Sequence, residues 1–345
     1  MRASKRAQAH ASPLMTRSQF TQMPKRILSG VQPSGKLHLG NFFGAIQQHI
    51  ALQEGDYERF YFIADFHALT TVQNAPLLRE YIKGVAIDYL ALGLDPAKSV
   101  FFRQSDVPEV QEIAWMFSCV TGMGLLERAH SYKDKIAKNI KPTVGLFYYP
   151  LLMAADILIY KPNLVPVGQD QVQHVEMTQD MAGYFNQTFN CNVFVRPEAR
   201  MGQAPKVPGV DGEKMSKSYG NTIDLQMDGK ELKKVVMGVK TDSTTVDQPK
   251  NPDTDNVFAL YALFANDEEK AALAARYRAG GMGYGDAKKL LLDKVSDYFA
   301  PYRQKRAELL ARPDYVEDVL REGAKKAREV ARATLDEAKK ACGLA

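Results

Sequence analysis

Two lysines and two serines stand together in the pentapeptide Lys214-Met215-Ser216-Lys217-Ser218. Two cations flanked by hydroxyl groups suit the negative charge that develops when the α–β bridge of a nucleoside triphosphate breaks. A solvated basic loop is the alternative that composition alone leaves open. The pentapeptide therefore predicts a phosphate-binding loop.

A glycine-bearing turn in the first part of the chain is a second candidate phosphate site. The run from Lys25 to Gln32 predicts a strand, and apolar residues recur at helical spacing from about Gly40, so Gly35 lies in a strand-to-helix turn. Backbone N–H groups and the positive end of a helix can face an anion there. Most turns of this kind bind no phosphate, so the turn by itself decides little.

Together the two segments resemble a known family. His38-Leu39-Gly40-Asn41 is similar to the His-Ile-Gly-His motif of class I aminoacyl-tRNA synthetases, and the pentapeptide is the Lys-Met-Ser-Lys-Ser motif of that family verbatim. In the family the polar residues of the first motif contact ATP phosphates, and its glycine leaves room for adenine. Asn41 replaces the second histidine, as is usual in the tryptophan-specific members, and keeps a hydrogen-bond donor without a positive charge.

The resemblance implies ATP as a substrate, with Mg²⁺ held mainly by its phosphates and no metal site built by the protein. The catalytic residues that it implies are His38, Asn41, Lys135, Lys214, Ser216 and Lys217. The ATP-binding residues that it implies are Gln32, Pro33, Ser34, Gly40, Asn41, Gly168, Gln169, Asp170, Val207, Lys214, Met215, Ser216 and Lys217. Gly168 and Asp170, at a predicted strand end, are expected to face the ribose, although an Asp there is otherwise a routine turn residue. Lys135 lies in a charged stretch where a lysine is usually solvated.

Asp156 lies in an apolar stretch, Val144 to Tyr160, that predicts a deeply buried helix. An unpaired charge there is costly, and a ligand N–H would relieve it. A partner within the protein, an arginine or the backbone, is the other explanation.

The same helix resembles the tryptophan-binding helix of the tryptophan-specific synthetases in Tyr149-Pro150 and Met153-Ala154-Ala155-Asp156. The resemblance implies that Asp156 accepts the indole N–H and that Met153 packs on the ring. It assigns the substrate α-amino group to Tyr149 and Gln171. His67, and with less support Asp65, are expected to border the same pocket.

Composition is that of an ordinary globular protein, with 45% hydrophobic and 25% charged residues over 345 residues and no apolar run long enough to span a membrane. A net charge of +5 is only weakly in favour of a polyanionic partner. The three cysteines form no CxxC pair, which argues against a disulfide framework or a thiolate zinc site.

Residues 1–23 contain no acid and no apolar core of a secretory signal, so we expect a disordered extension, with an organellar transit peptide as the alternative.

Alternating strands and helices predict an α/β fold, a Rossmann-like doubly wound parallel sheet followed by an all-helical C-terminal domain. We expect an N-terminal extension (1–23), a catalytic domain with a dimer-forming helical insertion (24–220), and a helical anticodon-binding domain (221–345) whose last helix could instead pack back on the sheet. The predicted strands are Lys25 to Gln32, Arg59 to Asp65, Ser99 to Gln104 and Leu164 to Gly168. Beyond Asp224 only helices are predicted.

The resemblance as a whole implies a bacterial-type tryptophan-specific synthetase that activates L-tryptophan with ATP and transfers it to tRNA(Trp). We further expect a cytoplasmic homodimer, with Trp115 a candidate for the interface and the organellar matrix the alternative location. A tyrosine-specific relative, an adenylylating enzyme that acts without transfer RNA, and a catalytically silent RNA-binding paralogue are the alternatives. Met153, Asp156 and Asn41 argue against the tyrosine enzyme. The pentapeptide and the helical C-terminal domain are more than the second alternative needs, and the presence of Lys214, Lys217, Asn41 and Asp156 argues against the silent paralogue.

Overall fold

The structure is a computed structural model that describes residues 25–129, 143–201 and 206–345, with the backbone alone for residues 170 and 201. The segment 1–23, Lys135 and part of the predicted loop before Lys214 lie outside the described residues. None of the described helices is long and apolar enough to cross a membrane.

A five-stranded parallel sheet forms the centre of the fold, with strand order β3-β2-β1-β4-β5. The strands are β1 (Arg26–Val31), β2 (Glu58–Ile63), β3 (Val100–Arg103), β4 (Leu164–Val167) and β5 (Glu198–Met201). The chain leaves β1 towards β2 on one side and later returns to β4 on the other. The crevice between the carboxyl ends of β1 and β4 is therefore the topological switch point, where ligands bind in sheets of this kind.

Helices cover both faces of the sheet, as the doubly wound prediction requires. Along β2, Tyr61 and Ile63 belong to one apolar core and Phe60 and Phe62 to the other, because successive side chains point to opposite faces. The helices are α1 (Leu39–Asn41, Phe42–Ile46, Gln47–Ala51 and Leu52–Glu54 in one run), α2 (Asp65–Ala68), α3 (Ala75–Ala91), α4 (Glu109–Val120), α5 (Met123–Glu127), α6 (Val144–Leu158), α7 (Val172–Thr188), α8 (Gly229–Met237), α9 (Asn256–Tyr261), α10 (Asp267–Ala279), α11 (Tyr284–Leu310) and α12 (Pro313–Cys342).

The four predicted strands and the predicted buried helix, α6, agree with the structure to within three residues. The short helices α2 and α5 were not predicted, and two further features differ. β5 was not predicted, because Glu-Ala-Arg-Met is short and lacks a run of β-branched or aromatic residues. The first helix contains a π-helical segment, Phe42–Ile46, where a simple α-helix was expected. The described part of the chain beyond Asp224 contains no strand, as predicted.

The final helix, α12, packs back on the sheet and covers its edge strand β3. Gly323 makes the close approach possible, because a Cβ at this position would lie 1.8 Å from the carbonyl oxygen of Phe101. Beyond it, Ala324, Ala327 and Ala331 are buried in the apolar core that α12 shares with the sheet. Small residues on one helix face therefore bring the helix against the backbone of the strand.

A buried carboxylate joins the helical part of the chain to the sheet layer. Asp88 in α3 is 1% exposed and accepts hydrogen bonds from Tyr302 Oη at 2.9 Å and Arg306 Nε at 2.7 Å, both in α11. Gln226 Nε2 donates to its other oxygen at 3.3 Å. Asp88 therefore links α3, α11 and the segment that follows the Lys-rich pentapeptide.

Candidate active site

A cavity of about 440 Å³ opens at the carboxyl ends of β1 and β4, at the switch point of the sheet. Its lining combines apolar side chains with a few convergent polar groups, the usual composition of a small-molecule site. The lining residues are Leu28, Ser29, Gly30, Gln32, Ala45, Phe62, Ala64, His67, Thr70, Tyr149, Met153, Asp156, Ile157, Val165, Pro166, Val167, Gly168, Gln171 and His174.

One face of α6 forms the inner wall of the cavity. Tyr149, Met153 and Asp156 are spaced four and three residues apart, which places them on the same side of the helix. The helix begins at a Thr143 cap, whose Oγ1 accepts a hydrogen bond from the backbone N–H of Leu146 at 3.2 Å. A phenol, a thioether and a carboxylate are thus presented in order of increasing depth.

Asp156 is 2% exposed and bonded to two side chains, His67 and Gln104. His67 Nε2 lies 2.9 Å from its Oδ2, and Gln104 Nε2 lies 2.8 Å from both carboxylate oxygens. Burial raises the pKa of Asp156, and the hydrogen bond from His67 opposes that rise. The carboxylate is therefore held within the protein by His67 and Gln104, where an arginine or the backbone had been considered.

At the opposite end of the cavity, Tyr149 and Gln171 lie beside a buried histidine. Tyr149 Oη is 2.6 Å from Nε2 of His174, which is 3% exposed. Gln171 and His174 are one helical turn apart at the start of α7, so both face the cavity. Gln32 extends from the first turn, and its Nε2 donates to the carbonyl of His67 at 3.3 Å.

The two motifs of the sequence meet beside this cavity. Nζ of Lys217 lies 3.5 Å from the position that a Cβ on Gly35 would occupy, and the backbone at Gly35 has a φ of 127°, which favours glycine. A Cβ on Gly40 would lie 3.0 Å from the imidazole of His38 and 3.5 Å from the Cβ of Met215. The absence of side chains at Gly35 and Gly40 therefore leaves room for Lys217 and Met215 of the pentapeptide.

A short backbone ladder holds the first motif to the segment after the pentapeptide. The N–H of Leu39 donates to the carbonyl of Ile223 at 3.0 Å, and the N–H of Leu225 donates to the carbonyl of Leu37 at 3.0 Å. Oδ1 of Asn41 accepts from the backbone N–H of His38 at 3.1 Å, which leaves its Nδ2 as the group that can donate. The relative position of the two motifs is thus set by backbone contacts.

Burial lowers the pKa values of two basic side chains of the site, His38 and Lys217. Burial and the charge of Lys217 lower the pKa of His38 to about 4, so His38 is neutral near pH 7. Its Nδ1 is buried without a hydrogen-bond partner among the described residues. Burial also lowers the pKa of Lys217, and the charges of Asp224 and Asp88 oppose this effect. A half-buried ammonium beside a polar atom without a partner is suited to an anionic ligand.

Hydrogen bonds of Asn221 stabilise the conformation of the pentapeptide. Asn221 Oδ1 accepts from the N–H of Ser216 at 2.8 Å, and its Nδ2 donates to Asp211 Oδ1 at 2.8 Å. The N–H of Met215 donates to the carbonyl of Val207 at 3.1 Å, while Lys214 is exposed. Lys217 is therefore directed inwards and Lys214 outwards.

The structure brings most of the sequence-predicted residues to two adjoining places. The cavity contains Gln32, His67, Tyr149, Met153, Asp156, Gly168 and Gln171, and the motif contact contains His38, Gly40, Asn41, Met215, Ser216 and Lys217. Pro33, Ser34, Gln169, Val207 and Lys214 do not line the cavity. Asp65 turns away from it and accepts from Ser105 Oγ at 2.5 Å. Lys135 and the side chain of Asp170 lie outside the described residues.

Sequence reasoning missed two residues of the site. Gln104 has no motif of its own, and only its contact with Asp156 identifies it. His174 was not predicted as a site residue, although its spacing of three residues from Gln171, about one helical turn, was a usable signal.

Comparison with known proteins agrees with this geometry. The family described as tRNA synthetases class I (W and Y) matches residues 21–300. A tryptophan–tRNA ligase of Rhodopirellula baltica is 53% identical over 92% of this chain and 99% of its own length, and that of Fusobacterium nucleatum is 52% identical over 93% and 98%. The crystal structure of the tryptophanyl-tRNA synthetase of Campylobacter jejuni, complexed with ADP and tryptophan, superposes with a TM-score of 0.87 at 46% identity, covering 92% of this chain and all of that one.

The doubly wound sheet, the paired motifs and these matches define a class I aminoacyl-tRNA synthetase. Within that class, the chain belongs to the tryptophan–tRNA ligase family.

Proposed function

We propose that the cavity binds L-tryptophan, with the indole beside Met153 and its N–H donated to Asp156. The observation that carries this proposal is a carboxylate, 2% exposed, that lines an otherwise largely apolar cavity and is contacted by His67 and Gln104. Such a group favours a ligand that brings a hydrogen-bond donor on a flat apolar body. Tyr149 and Gln171, at the opposite end, are the partners of the α-amino group.

ATP binds at the contact of the two motifs, next to the tryptophan carboxylate. Lys217, directed across Gly35, meets the phosphates, and neutral His38 and Nδ2 of Asn41 supply hydrogen bonds without adding charge. Lys214 and Lys135 are proposed to reach the phosphates, and Gly168 and Asp170 to face the ribose. Mg²⁺ is proposed to be held mainly by the phosphates of ATP, since it usually keeps several waters and binds proteins through few ligands.

The reaction then has two steps, and neither requires a nucleophile from the protein. The tryptophan carboxylate attacks the α-phosphorus of ATP, which forms tryptophanyl-adenylate and releases pyrophosphate. The terminal ribose hydroxyl of tRNA(Trp) next attacks the activated carbonyl, and AMP leaves. Lys217 stabilises the charge that moves to the departing pyrophosphate, and the rest of the site positions the two reactants.

The helical part of the chain, 221–345, is proposed to recognise the transfer RNA. Two of its basic residues have another role: Arg328 and Arg332 both donate to Oε1 of Glu109 at 2.9 Å, which fixes α12 to α4. Contacts to the anticodon therefore belong to other residues of this part.

A homodimer through the surface around Trp115 is also proposed. Trp115, within α4, is 67% exposed, and Met123, the first residue of α5, is 62% exposed; both are large apolar side chains. Exposed apolar groups of this size mark interaction surfaces. Sedimentation equilibrium should give the mass of two chains, and Trp115→Glu should give the mass of one.

The cytoplasm is the proposed location.

Amino-acid-dependent exchange of labelled pyrophosphate into ATP tests the activity. Exchange should depend on tryptophan and not on tyrosine or phenylalanine. Exchange with tyrosine instead would overturn the substrate assignment, and the absence of exchange with any aromatic amino acid would favour a silent paralogue.

A further inference from the structure

Gln104 stands behind the carboxylate of Asp156 and does not line the cavity. It follows β3 in a single helical turn, Gln104–Asp106, and is 1% exposed. Its Nε2 lies 2.8 Å from both Oδ1 and Oδ2 of Asp156. Gln104 therefore contacts the proposed indole acceptor from the side opposite to the ligand.

The orientation of the Gln104 amide is fixed by the backbone. Its Oε1 accepts a hydrogen bond from the N–H of Phe66 at 3.0 Å, and a backbone N–H can only donate. The NH₂ group must therefore face Asp156, and an NH₂ group cannot accept a proton from a carboxylic acid. Asp156 can form this contact only by accepting.

We propose that Gln104 is a positioning residue for tryptophan specificity, because it holds Asp156 as an ionised acceptor aimed at the indole N–H. This inference rests on the proposed binding of the indole N–H by Asp156. A buried carboxylate tends to protonate, and a protonated Asp156 would turn a hydrogen-bond acceptor into a donor at the point where the ligand also donates. Gln104 opposes that change without adding a charge. The other titratable groups that face Asp156 are His67, whose Nε2 lies 2.9 Å from Oδ2, and the nearby Asp65 and Tyr160, and all three are the same in every variant compared below.

Gln104→Leu is the first test, since leucine removes the amide and keeps a similar volume. The probes are tryptophan and its analogue with sulfur in place of the indole N–H, and the readout is the ratio of their kcat/KM values in pyrophosphate exchange. In the wild type this ratio should be large, and its value at each pH from about 6 to about 9 is the reference for the variants. In Gln104→Leu it should be at least about tenfold smaller at the acidic end and recover towards the alkaline end, through KM rather than kcat.

Gln104→Glu gives the opposite dependence on pH and keeps the shape of the side chain. At low pH its protonated carboxyl can donate to Asp156 and replace the amide, whereas at high pH two carboxylates face each other. The ratio should therefore fall as pH rises. Because glutamate is nearly isosteric with glutamine, this variant tests the positioning role of Gln104 even if Gln104→Leu does not fold.

Ser105→Ala is the matched control for general disturbance of the turn. Ser105 belongs to the same turn, but its contacts are to Asp65 rather than Asp156. The ratio in Ser105→Ala should match the wild type. An equal fall in Ser105→Ala and Gln104→Leu, or pH profiles of the same direction in Gln104→Leu and Gln104→Glu, would overturn the role of Gln104. A small ratio in the wild type itself would instead overturn the proposed contact of Asp156 with the indole.

Discussion

The side chain of Lys217 lies across Gly35, with Cδ 3.4 Å and Nζ 3.5 Å from the point where a Cβ on that glycine would stand. The two residues are far apart in the sequence and belong to different motifs. Their contact places a half-buried cation over the turn that follows β1, so the geometry at Gly35 and the position of the cation depend on each other.

Gly35→Ala should therefore slow adenylate formation. Its φ of 127° strains any side chain, so alanine should change the backbone of the turn that Lys217 contacts. We expect kcat for tryptophan-dependent exchange to fall by at least about tenfold, with the KM for tryptophan unchanged. Gly229→Ala is the control, because Gly229 also has a positive φ, 51°, but no atom within 4 Å of the added Cβ. A similar loss of activity in both variants would indicate backbone strain alone.

Lys217→Ala should lower kcat for exchange by about 10² to 10³, the usual size of a lost transition-state contact, and change the affinity for tryptophan little. Rapid-quench measurement of adenylate formation reports this step directly. Lys289→Ala serves as a control, since Lys289 is an exposed lysine paired with Asp286 in α11. A rise in KM with kcat preserved would argue against a role in the transition state.

Asp156→Ala should lower kcat/KM for tryptophan by at least about tenfold, the size of a lost charge-assisted hydrogen bond. The KM for ATP should remain close to that of the wild type, because Asp156 lies at the opposite end of the site. Steady-state exchange at varied tryptophan gives both constants. Unchanged activation kinetics would remove Asp156 from the pocket.

Acid should destabilise the protein in part through His49. This side chain is 3% exposed, stacks on Tyr61 and has Nδ1 3.3 Å from Tyr89 Oη, and burial lowers its pKa from 6.5 to about 4. Because the folded pKa is lowered, its contribution to stability is complete above about pH 6.5 and is lost as pH falls towards 4. Over that range the loss is about 3 kcal/mol. Urea unfolding of His49→Phe should show a shallower decline from pH 7 to pH 5 than the wild type, and equal declines would contradict the assignment.

Gly323→Ala should reduce the free energy of unfolding by about 3 kcal/mol, because its Cβ meets the backbone of Phe101, which cannot move aside easily. Gly84→Ala is the matched control. Gly84 lies within α3 with no atom within 4 Å of an added Cβ, so alanine there should stabilise by about 0.5–1 kcal/mol. Chemical unfolding of both variants gives the comparison, and a stable Gly323→Ala protein would contradict the contact of α12 with β3.

The sequence was sufficient for four of the five strands, for the buried helix α6 and for the residues on one face of it, because apolar periodicity and spacing along a helix are local properties. Gln104 was not predictable in this way. Its role depends on the turn after β3 reaching both the N–H of Phe66 and the carboxylate of Asp156, and these contacts span 38 and 52 residues of sequence. The contact between Gly35 and Lys217 is equally non-local.

The docking of α12 has a consequence for folding during synthesis. β3 leaves the ribosome more than two hundred residues before Gly323, so the hydrogen-bonding edge of the sheet stays uncovered while α4 to α11 are made. An open strand edge is a site for pairing with other chains. The nascent protein should therefore be most prone to aggregation, and most dependent on chaperones, in the interval before its final helix emerges.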